Sequence, residues 1–157
     1  MRPILTYMER DHQHCDALFA QLETDIERRE WEHAEASLQC FSGALARHLA
    51  REENVLFPAF EQATGTPAGP TSVMRLEHKY IRAIVSRVID AVAQRDAHDF
   101  FGHADILRIM QEQHDQKEET ILYVMIDRIL CNRQHEIIEA MDAVNTVDVL
   151  GVVNSIA

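Results

Sequence analysis

HLAREENVLF, at residues 48–57, and HDQKEETILY, at residues 114–123, are two copies of one sequence pattern. Both read His-x-x-x-Glu-Glu-x-x-Leu followed by an aromatic residue, and we call the step along the chain from His48 to His114 the repeat interval. In an α-helix with about 3.6 residues per turn, a histidine and a glutamate four positions apart lie on the same face. Each copy therefore presents a His–Glu pair that can reach one ion in the core of a helical bundle.

A second pair of motifs follows the same repeat. Asp11-His12 precedes the first copy, and Glu77-His78 precedes the second copy, separated by the same repeat interval. A lone His-x-x-x-Glu is usually only a surface pair of neighbouring side chains. Two copies, each with a partner histidine at the same distance along the chain, indicate a metal site and a helical hairpin duplicated in tandem.

Helical periodicity predicts an all-α chain. Apolar residues recur at helical spacing in five segments, which give predicted helices at residues 4–29, 31–62, 72–94, 98–131 and 134–143. Pro58 is expected to disturb the last turns of the second helix, because proline lacks a backbone donor. Four long helices with short connections predict an up-down-up-down four-helix bundle at residues 1–131, followed by a short extra C-terminal helix and an apolar tail at residues 132–157.

The predicted turns bring the histidines to one level of this bundle. Glu30 lies midway along the chain between His12 and His48, so antiparallel first and second helices place these two histidines side by side. The turn near residue 96 does the same for His78 and His114. The longer loop at residues 64–72 leaves open how the two hairpins align with each other.

Composition and charge restrict the partners and the compartment. The chain of 157 residues has a formal net charge of −11, which disfavours nucleic acid and anionic membranes as partners. Cys15, Cys40 and Cys131 match no Cys-x-x-Cys pattern, so we expect free thiols in a reducing compartment. Residues 1–7 carry no signal-peptide pattern, and no apolar run approaches the roughly 20 residues of a membrane span. These features predict a cytoplasmic protein.

The motifs resemble those of hemerythrin-like, or HHE cation-binding, domains over residues 4–128. The resemblance implies a four-helix bundle around two non-haem iron ions that are bridged by carboxylates and an oxo group. It implies terminal metal ligands at His12, His48, His78 and His114, and bridging carboxylates at Glu52 and Glu118. Imidazole and carboxylate also suit manganese and zinc, so the ligand types alone leave the metal open.

The sequence departs from the oxygen-carrying members of this family at two positions. Met74 stands where those members have a fifth histidine, one turn before the histidine of the third helix. Glu119 stands where they tend to have an aspartate. The remaining set of four histidines and two carboxylates is nearly symmetric, which disfavours reversible oxygen carriage.

Polar residues next to the motifs have interpretations of their own. Glu53 and Glu119 lie five residues after a histidine, about 140° around a helix, and are predicted to be mostly solvated, with Glu119 as an alternative ligand to Glu118. Asp16 and Glu77 are candidates to orient the imidazoles.

Aromatic and sulfur-containing side chains near the motifs are further candidates. Tyr7 and Tyr123 are candidates to donate a hydrogen bond to a bound ligand. Cys15, one turn from His12, is interpreted as a buried structural thiol.

Three functions fit these patterns. The first is a non-haem di-iron protein that senses, stores or scavenges oxygen, nitric oxide or peroxide. The second is an iron-dependent enzyme that turns over peroxide or nitric oxide, or a protein that repairs iron–sulfur clusters, so enzymatic activity stays open. The third is a bundle with a structural zinc or a single ion. The apolar tail at residues 147–157 is a candidate surface for a homo-oligomer.

Overall fold

The structure is a computed structural model of the chain and describes residues 1–144. The tail proposed above as an oligomer surface lies outside the described residues. The helices follow one another as α1 (Pro3–Glu27), α2 (Trp31–Arg51), a π-helical turn (Glu52–Leu56), α3 (Phe57–Thr64), α4 (Pro70–Ala93), α5 (Ala97–Lys117), a second π-helical turn (Glu118–Leu122), α6 (Tyr123–Ile129) and α7 (Gln134–Asp142). The described residues contain no strand, which confirms the predicted all-α fold.

Two helical hairpins form the bundle. Helix α1 packs along α2, and α4 packs along α5. Both hairpin turns place an arginine in the left-handed region, Arg29 with φ 59° and Arg95 with φ 52°. In each turn the following residue donates back into the end of the helix, Glu30 to the Asp25 carbonyl and Asp96 to the Ala91 carbonyl, as in the Schellman motif. The two arginines are separated by the repeat interval, so the repeat extends to the turns.

The π-helical turns are the main local difference from the predicted helices. Sequence periodicity predicts two uninterrupted helices at residues 31–62 and 98–131, whereas each contains one π-helical turn. Pro58 lies in the first turn of α3, but the equivalent position in the second half is Val124. The turn therefore belongs to the repeated motif, and proline is not its general cause. Such turns are frequent at functional sites, and each begins at the first glutamate of the repeated motif.

The core consists of two apolar layers. One layer, nearer the hairpin turns, contains Phe19, Phe41 and Phe100, and the rings of Phe41 and Phe100 contact that of Phe19 at a tilt. The other layer, at the opposite end of the bundle, includes Met8 and Tyr123. His12 lies between Met8 and Phe19 along α1, so a polar level separates the two layers.

Carboxylates fix the beginning of helices at the second layer. Asp127 of α6 accepts hydrogen bonds from the backbone amides of Ile4 and Leu5, at 3.1 and 2.9 Å, and thereby caps α1. Its counterpart in the first half of the repeat, Glu61, accepts a bond from the Thr71 hydroxyl at the start of α4. Helix α7 packs on α1 and on the first π-helical turn. The division of the chain at residue 131 stays a prediction.

None of the helices among residues 1–144 is at once long enough and apolar enough to cross a membrane.

Candidate metal centre

The structure brings all six residues that the sequence nominates as ligands to one buried level. None of these side chains belongs to a residue more than 4% exposed. They come from α1, α2, α4, α5 and the two π-helical turns, namely His12, His48, Glu52, His78, His114 and Glu118. Burying four imidazoles and two carboxylates together is unfavourable unless they pair with one another or coordinate an ion.

The imidazoles form two pairs, one from each hairpin. The ring centroids of His12 and His48 lie 4.6 Å apart, and those of His78 and His114 lie 4.9 Å apart. The predicted levels of the histidines within both hairpins are therefore confirmed.

Each glutamate contacts one histidine of both pairs. A Glu52 oxygen lies 3.4 Å from His48 Nε2 and 3.1 Å from His78 Nε2. Glu118 oxygens lie 3.3 Å from His12 Nε2 and 3.1 Å from His114 Nε2. Both carboxylates therefore lie between the two histidine pairs.

Five buried polar atoms of this set lack a hydrogen-bond partner among residues 1–144. They are His48 Nε2, His78 Nε2, His114 Nε2, Glu52 Oε2 and Glu118 Oε1. Buried polar atoms are normally paired, yet here nitrogen and oxygen atoms face each other at 3.1–3.4 Å without hydrogen-bond geometry. Ligand atoms that bind one ion at about 2.1 Å and at right angles lie about 3 Å apart. The donor set thus fits metal ions.

The candidate ligand atoms divide into two overlapping groups. Within each group all the atoms lie within 4.8 Å of one another. One group is His12, His48 and Glu118, and the other is Glu52, His78, His114 and Glu118. Because Glu118 belongs to both groups, the arrangement offers two neighbouring cation positions that share a carboxylate.

The Nδ1 atom of every imidazole in the set meets a carboxylate from a neighbouring helix. The pairs are His12 with Glu119 at 2.7 Å, His48 with Asp11 at 3.0 Å, His78 with Glu53 at 2.7 Å, and His114 with Glu77 at 2.7 Å. With Nδ1 engaged, each Nε2 faces the centre of the bundle. Carboxylates in this position orient metal-binding histidines and raise their basicity.

These contacts correct three interpretations made from the sequence. Glu53 and Glu119 are not mainly solvated, because the angle that takes them away from their own histidine points them at the adjacent helix. Glu77 does orient an imidazole, but that of His114 and not of its neighbour His78, since consecutive residues of a helix point about 100° apart. Asp16 makes no hydrogen bond to His12 in the described part of the chain.

Cations support three of the four carboxylates. Arg51 pairs with Asp11 at 2.8 Å, and Lys117 pairs with Glu77. Arg82 forms a two-pronged pair with Glu53, at 2.8 and 2.9 Å. Among residues 1–144, Glu119 has no such cation. Sequence reasoning nominated Glu77 but missed the other three carboxylates and the cations, of which Arg51 and Lys117 are related by the repeat interval.

Comparison with known proteins decides the family. A sequence model of the hemerythrin HHE cation-binding domain matches residues 4–126 of the chain. The chain belongs to the hemerythrin HHE family. A search of curated proteins and a search of solved structures each gave no significant match. Family membership, together with the two groups of histidine and glutamate atoms, indicates a metal cofactor.

One tyrosine reaches into this hemerythrin-family centre. The Tyr123 hydroxyl is buried 2.5 Å from a Glu52 oxygen and 2.8 Å from a Glu118 oxygen, and it can donate to one of them at a time. Its counterpart in the repeat, Phe57, stacks on His78 and has no hydroxyl. Tyr7, the other tyrosine considered from the sequence, donates to Asp142 away from the centre.

The surroundings of Met74, which stands where oxygen-carrying members have a fifth histidine, are apolar. Met74 is 5% exposed and belongs to the second core layer. Its repeat counterpart is Met8, which is fully buried in the same layer. The two halves of this hemerythrin-family centre are therefore matched at the position where oxygen-carrying members differ. Cys15 is buried, as expected from the sequence, and burial raises the pKa of its thiol.

Neighbouring carboxylates raise the pKa of three of these imidazoles, those of His12, His78 and His114. Burial opposes a charged His12, but the close Glu118 carboxylate, the nearby Asp115 and the hydrogen bond to Glu119 prevail and raise its pKa to about 10. In the same way burial is outweighed at His78 by Glu52 and Glu53, which raise its pKa to about 9.

Glu118 responds to these imidazoles in the opposite direction. Burial disfavours the charged form of Glu118, yet the close nitrogen atoms of His114 and His12 lower its pKa below the ordinary value.

We expect the stability of the metal-free protein to fall as the pH rises from about 6.5 to about 10. A histidine whose pKa is raised in the folded chain stabilises it fully below the ordinary value of 6.5 and loses this contribution as the pH rises through the folded-state pKa. Each tenfold difference in proton affinity between the folded and the unfolded chain corresponds to about 1.4 kcal/mol of folding free energy. Urea unfolding of chelator-treated protein at several pH values measures the loss. Metal-loaded protein is the control, because bound metal requires neutral imidazoles. An unchanged free energy of unfolding across this range would contradict the expectation.

Proposed function

We propose that the chain binds two iron ions and uses them to sense, store or scavenge a small molecule, namely oxygen, nitric oxide or peroxide. The observation that carries the proposal is the set of five unpaired, buried nitrogen and oxygen atoms that converge from both hairpins. Such a set is unfavourable in a folded protein unless it binds cations.

The contacts support a specific distribution of ligands. His12 and His48 would bind one ion, and His78 and His114 would bind the other. Glu52 and Glu118 would bridge the ions, because each contacts a histidine of both pairs.

The donor set favours iron over a structural zinc. Two imidazoles and a share of two carboxylates give each ion four protein ligands, and iron usually takes further ligands beyond four. Structural zinc sites are closed and tetrahedral and are commonly rich in cysteine, whereas the cysteine nearest this centre, Cys15, is a buried thiol outside both groups of ligand atoms. Bound iron would supply open coordination positions for an incoming molecule.

The space beside the ligands supports a very small partner. An inner cavity of about 10 Å³ borders the centre and is lined by His12, Cys15, Leu45, His48, Leu49, Ile81, Gln111, His114 and Asp115. A volume of this size is about that of one water-sized probe. Such a space suits a very small molecule, such as a diatomic.

Two polar side chains at this cavity are positioned to act on such a molecule. The Asp115 carboxylate lies 3.5 Å from His12 Nε2, and burial raises its pKa to about 6. Gln111 is 8% exposed and presents an amide to the same space. The Tyr123 hydroxyl approaches the bridging carboxylates from the opposite apolar layer and restricts their rotation.

Removal of a bridging carboxylate should remove the metal. We expect purified protein to carry close to two irons per chain, and Glu52→Ala or Glu118→Ala to lose most of this iron, since each residue would serve both ions. Glu53→Ala and Glu119→Ala are the matched controls. They remove a carboxylate one residue away that only orients an imidazole, so affinity should fall about 10- to 100-fold while two ions still bind at saturating iron.

Metal analysis of the five proteins measures this difference. One zinc and no iron in the wild-type protein, after expression with iron supplied, would contradict the proposal. So would a Glu119→Ala protein that loses the metal while Glu118→Ala keeps it.

We expect the reduced, iron-loaded protein to react with oxygen irreversibly. Methionine occupies the fifth-histidine position in both halves, so the two ions have matched surroundings, and both are open to oxidation. Stopped-flow absorption spectra after mixing with oxygen, followed by flushing with argon, test this expectation. Parallel mixing with nitric oxide and with peroxide identifies which molecule binds fastest. A band that disappears under argon and returns with oxygen would establish carriage as the function.

A further inference from the structure

The duplication produces two grooves at equivalent positions on opposite sides of the bundle. The side chains that line them differ in charge and polarity. The α1–α5 groove lies between α1 and α5 and has a volume of about 640 Å³. The α2–α4 groove lies between α2 and α4 and has a volume of about 30 Å³. Every residue that lines the α2–α4 groove has its counterpart, one repeat interval away, in the lining of the α1–α5 groove.

Acidic side chains in one groove replace basic or apolar side chains in the other. Asp16 occupies the position of Arg82, whose guanidinium pairs with Glu53 and closes the α2–α4 groove. Glu112 replaces Ala46.

The remaining carboxylates make the lining of the α1–α5 groove predominantly acidic. Asp115 replaces Leu49, and Glu23 replaces Ile89. Glu119 completes the acidic lining, and Arg108, which pairs with Glu23, is the only arginine or lysine among the lining residues of this groove. Such a concentration of one sign of charge attracts cations and focuses them into the groove.

The α1–α5 groove leads to the candidate metal centre. His12, Gln111 and Asp115 line both this groove and the inner cavity that borders His48 and His114. A cation at the floor of the groove is thus already next to His12, one of the proposed ligands. In the α2–α4 groove, the residues shared with the inner cavity are Leu45 and Leu49, which offer a cation no ligand.

Gln111 gives a second, independent indication of a polar ligand. The residue is more than nine-tenths buried, with an exposed fraction of 8%, and its amide makes no hydrogen bond within residues 1–144. Its amide atoms are not among the fully enclosed unpaired atoms, so the amide reaches the open space of the groove and the cavity. Gln111 lines the junction of groove and cavity, where its oxygen can coordinate a passing cation or a water bound to one, and its repeat counterpart is Leu45.

We propose that the α1–α5 groove is the route by which divalent metal ions reach the centre, with a transient cation site formed by Asp16, Gln111, Glu112 and Asp115. This inference rests on the proposed metal centre and concerns how that centre is loaded. The α2–α4 groove is the closed copy of the same route, sealed by Arg82 and two leucines.

The rate of cobalt uptake by metal-free, full-length protein tests the route. Asp16→Arg places an arginine in the α1–α5 groove at the position that Arg82 has in the α2–α4 groove. The new arginine can pair with Glu119 as Arg82 pairs with Glu53. Glu32→Arg is the matched control, because it makes the same change of charge at a residue outside both grooves whose side chain is 83% exposed. Glu112→Lys is a second groove variant, at an exposed position that makes no hydrogen bond or ion pair with the proposed ligands of the centre.

Anaerobic stopped-flow absorption after mixing with Co²⁺ gives the rate, and metal analysis at equilibrium gives the number of ions bound. We expect Asp16→Arg and Glu112→Lys to slow uptake about tenfold and to weaken its dependence on salt, with wild-type stoichiometry at the end. Glu32→Arg should change the rate less than twofold.

Equal rates in the groove variants and the control would overturn the route. A groove variant that binds fewer ions at equilibrium would also overturn it, because the residue would then belong to the centre and not to its approach. Failure of the wild-type protein to bind cobalt at any time would refute the metal centre itself, and the endpoint separates this result from a slow rate.

Discussion

The hydrogen bond between each imidazole Nδ1 atom and a carboxylate of the next helix is the interaction on which the centre depends. The four bonds connect α1 to α2, the first π-helical turn to α4, α4 to α5, and the second π-helical turn to α1. They form a closed ring around the bundle, so the position of every helix is tied to the orientation of a histidine. With Nδ1 engaged, every Nε2 must face inward, where Glu52 and Glu118 lie. Folding and the arrangement of the ligands therefore have the same physical cause.

The duplicated hairpin explains why the centre is nearly symmetric, and departures from symmetry indicate where the two halves have separate roles. The ligands, their carboxylate partners, the π-helical turns and the arginines at the hairpin turns all recur at the repeat interval. Tyr123 differs from Phe57 beside Glu52 and Glu118, and the α1–α5 groove differs from the α2–α4 groove in charge and size. The two halves thus differ beside the candidate centre and in the grooves, while the arginines of the hairpin turns and the π-helical turns stay matched.

The repeat predicted the bundle and the six central residues because helix periodicity and spacing determine which side chains share a face. It predicted the outer carboxylates poorly, because those contacts depend on how neighbouring helices are rotated. Glu53 and Glu119 point away from their own histidines, and only the position of the adjacent helix shows that they reach another one. The π-helical turns also escaped prediction, since they change the backbone hydrogen bonds without interrupting the apolar periodicity. The shape of the grooves depends on the rotation of neighbouring helices and on the π-helical turns, so only the structure shows them.

Anomalous diffraction from crystals of iron-loaded protein, measured at the iron edge, tests the central claim most directly. The account predicts two peaks about 3.5 Å apart, one beside the Nε2 atoms of His12 and His48 and the other beside those of His78 and His114. Oxygen atoms of Glu52 and Glu118 should contact both peaks. A single peak, or peaks bound by Glu119 in place of Glu118, would contradict the proposed two-ion centre.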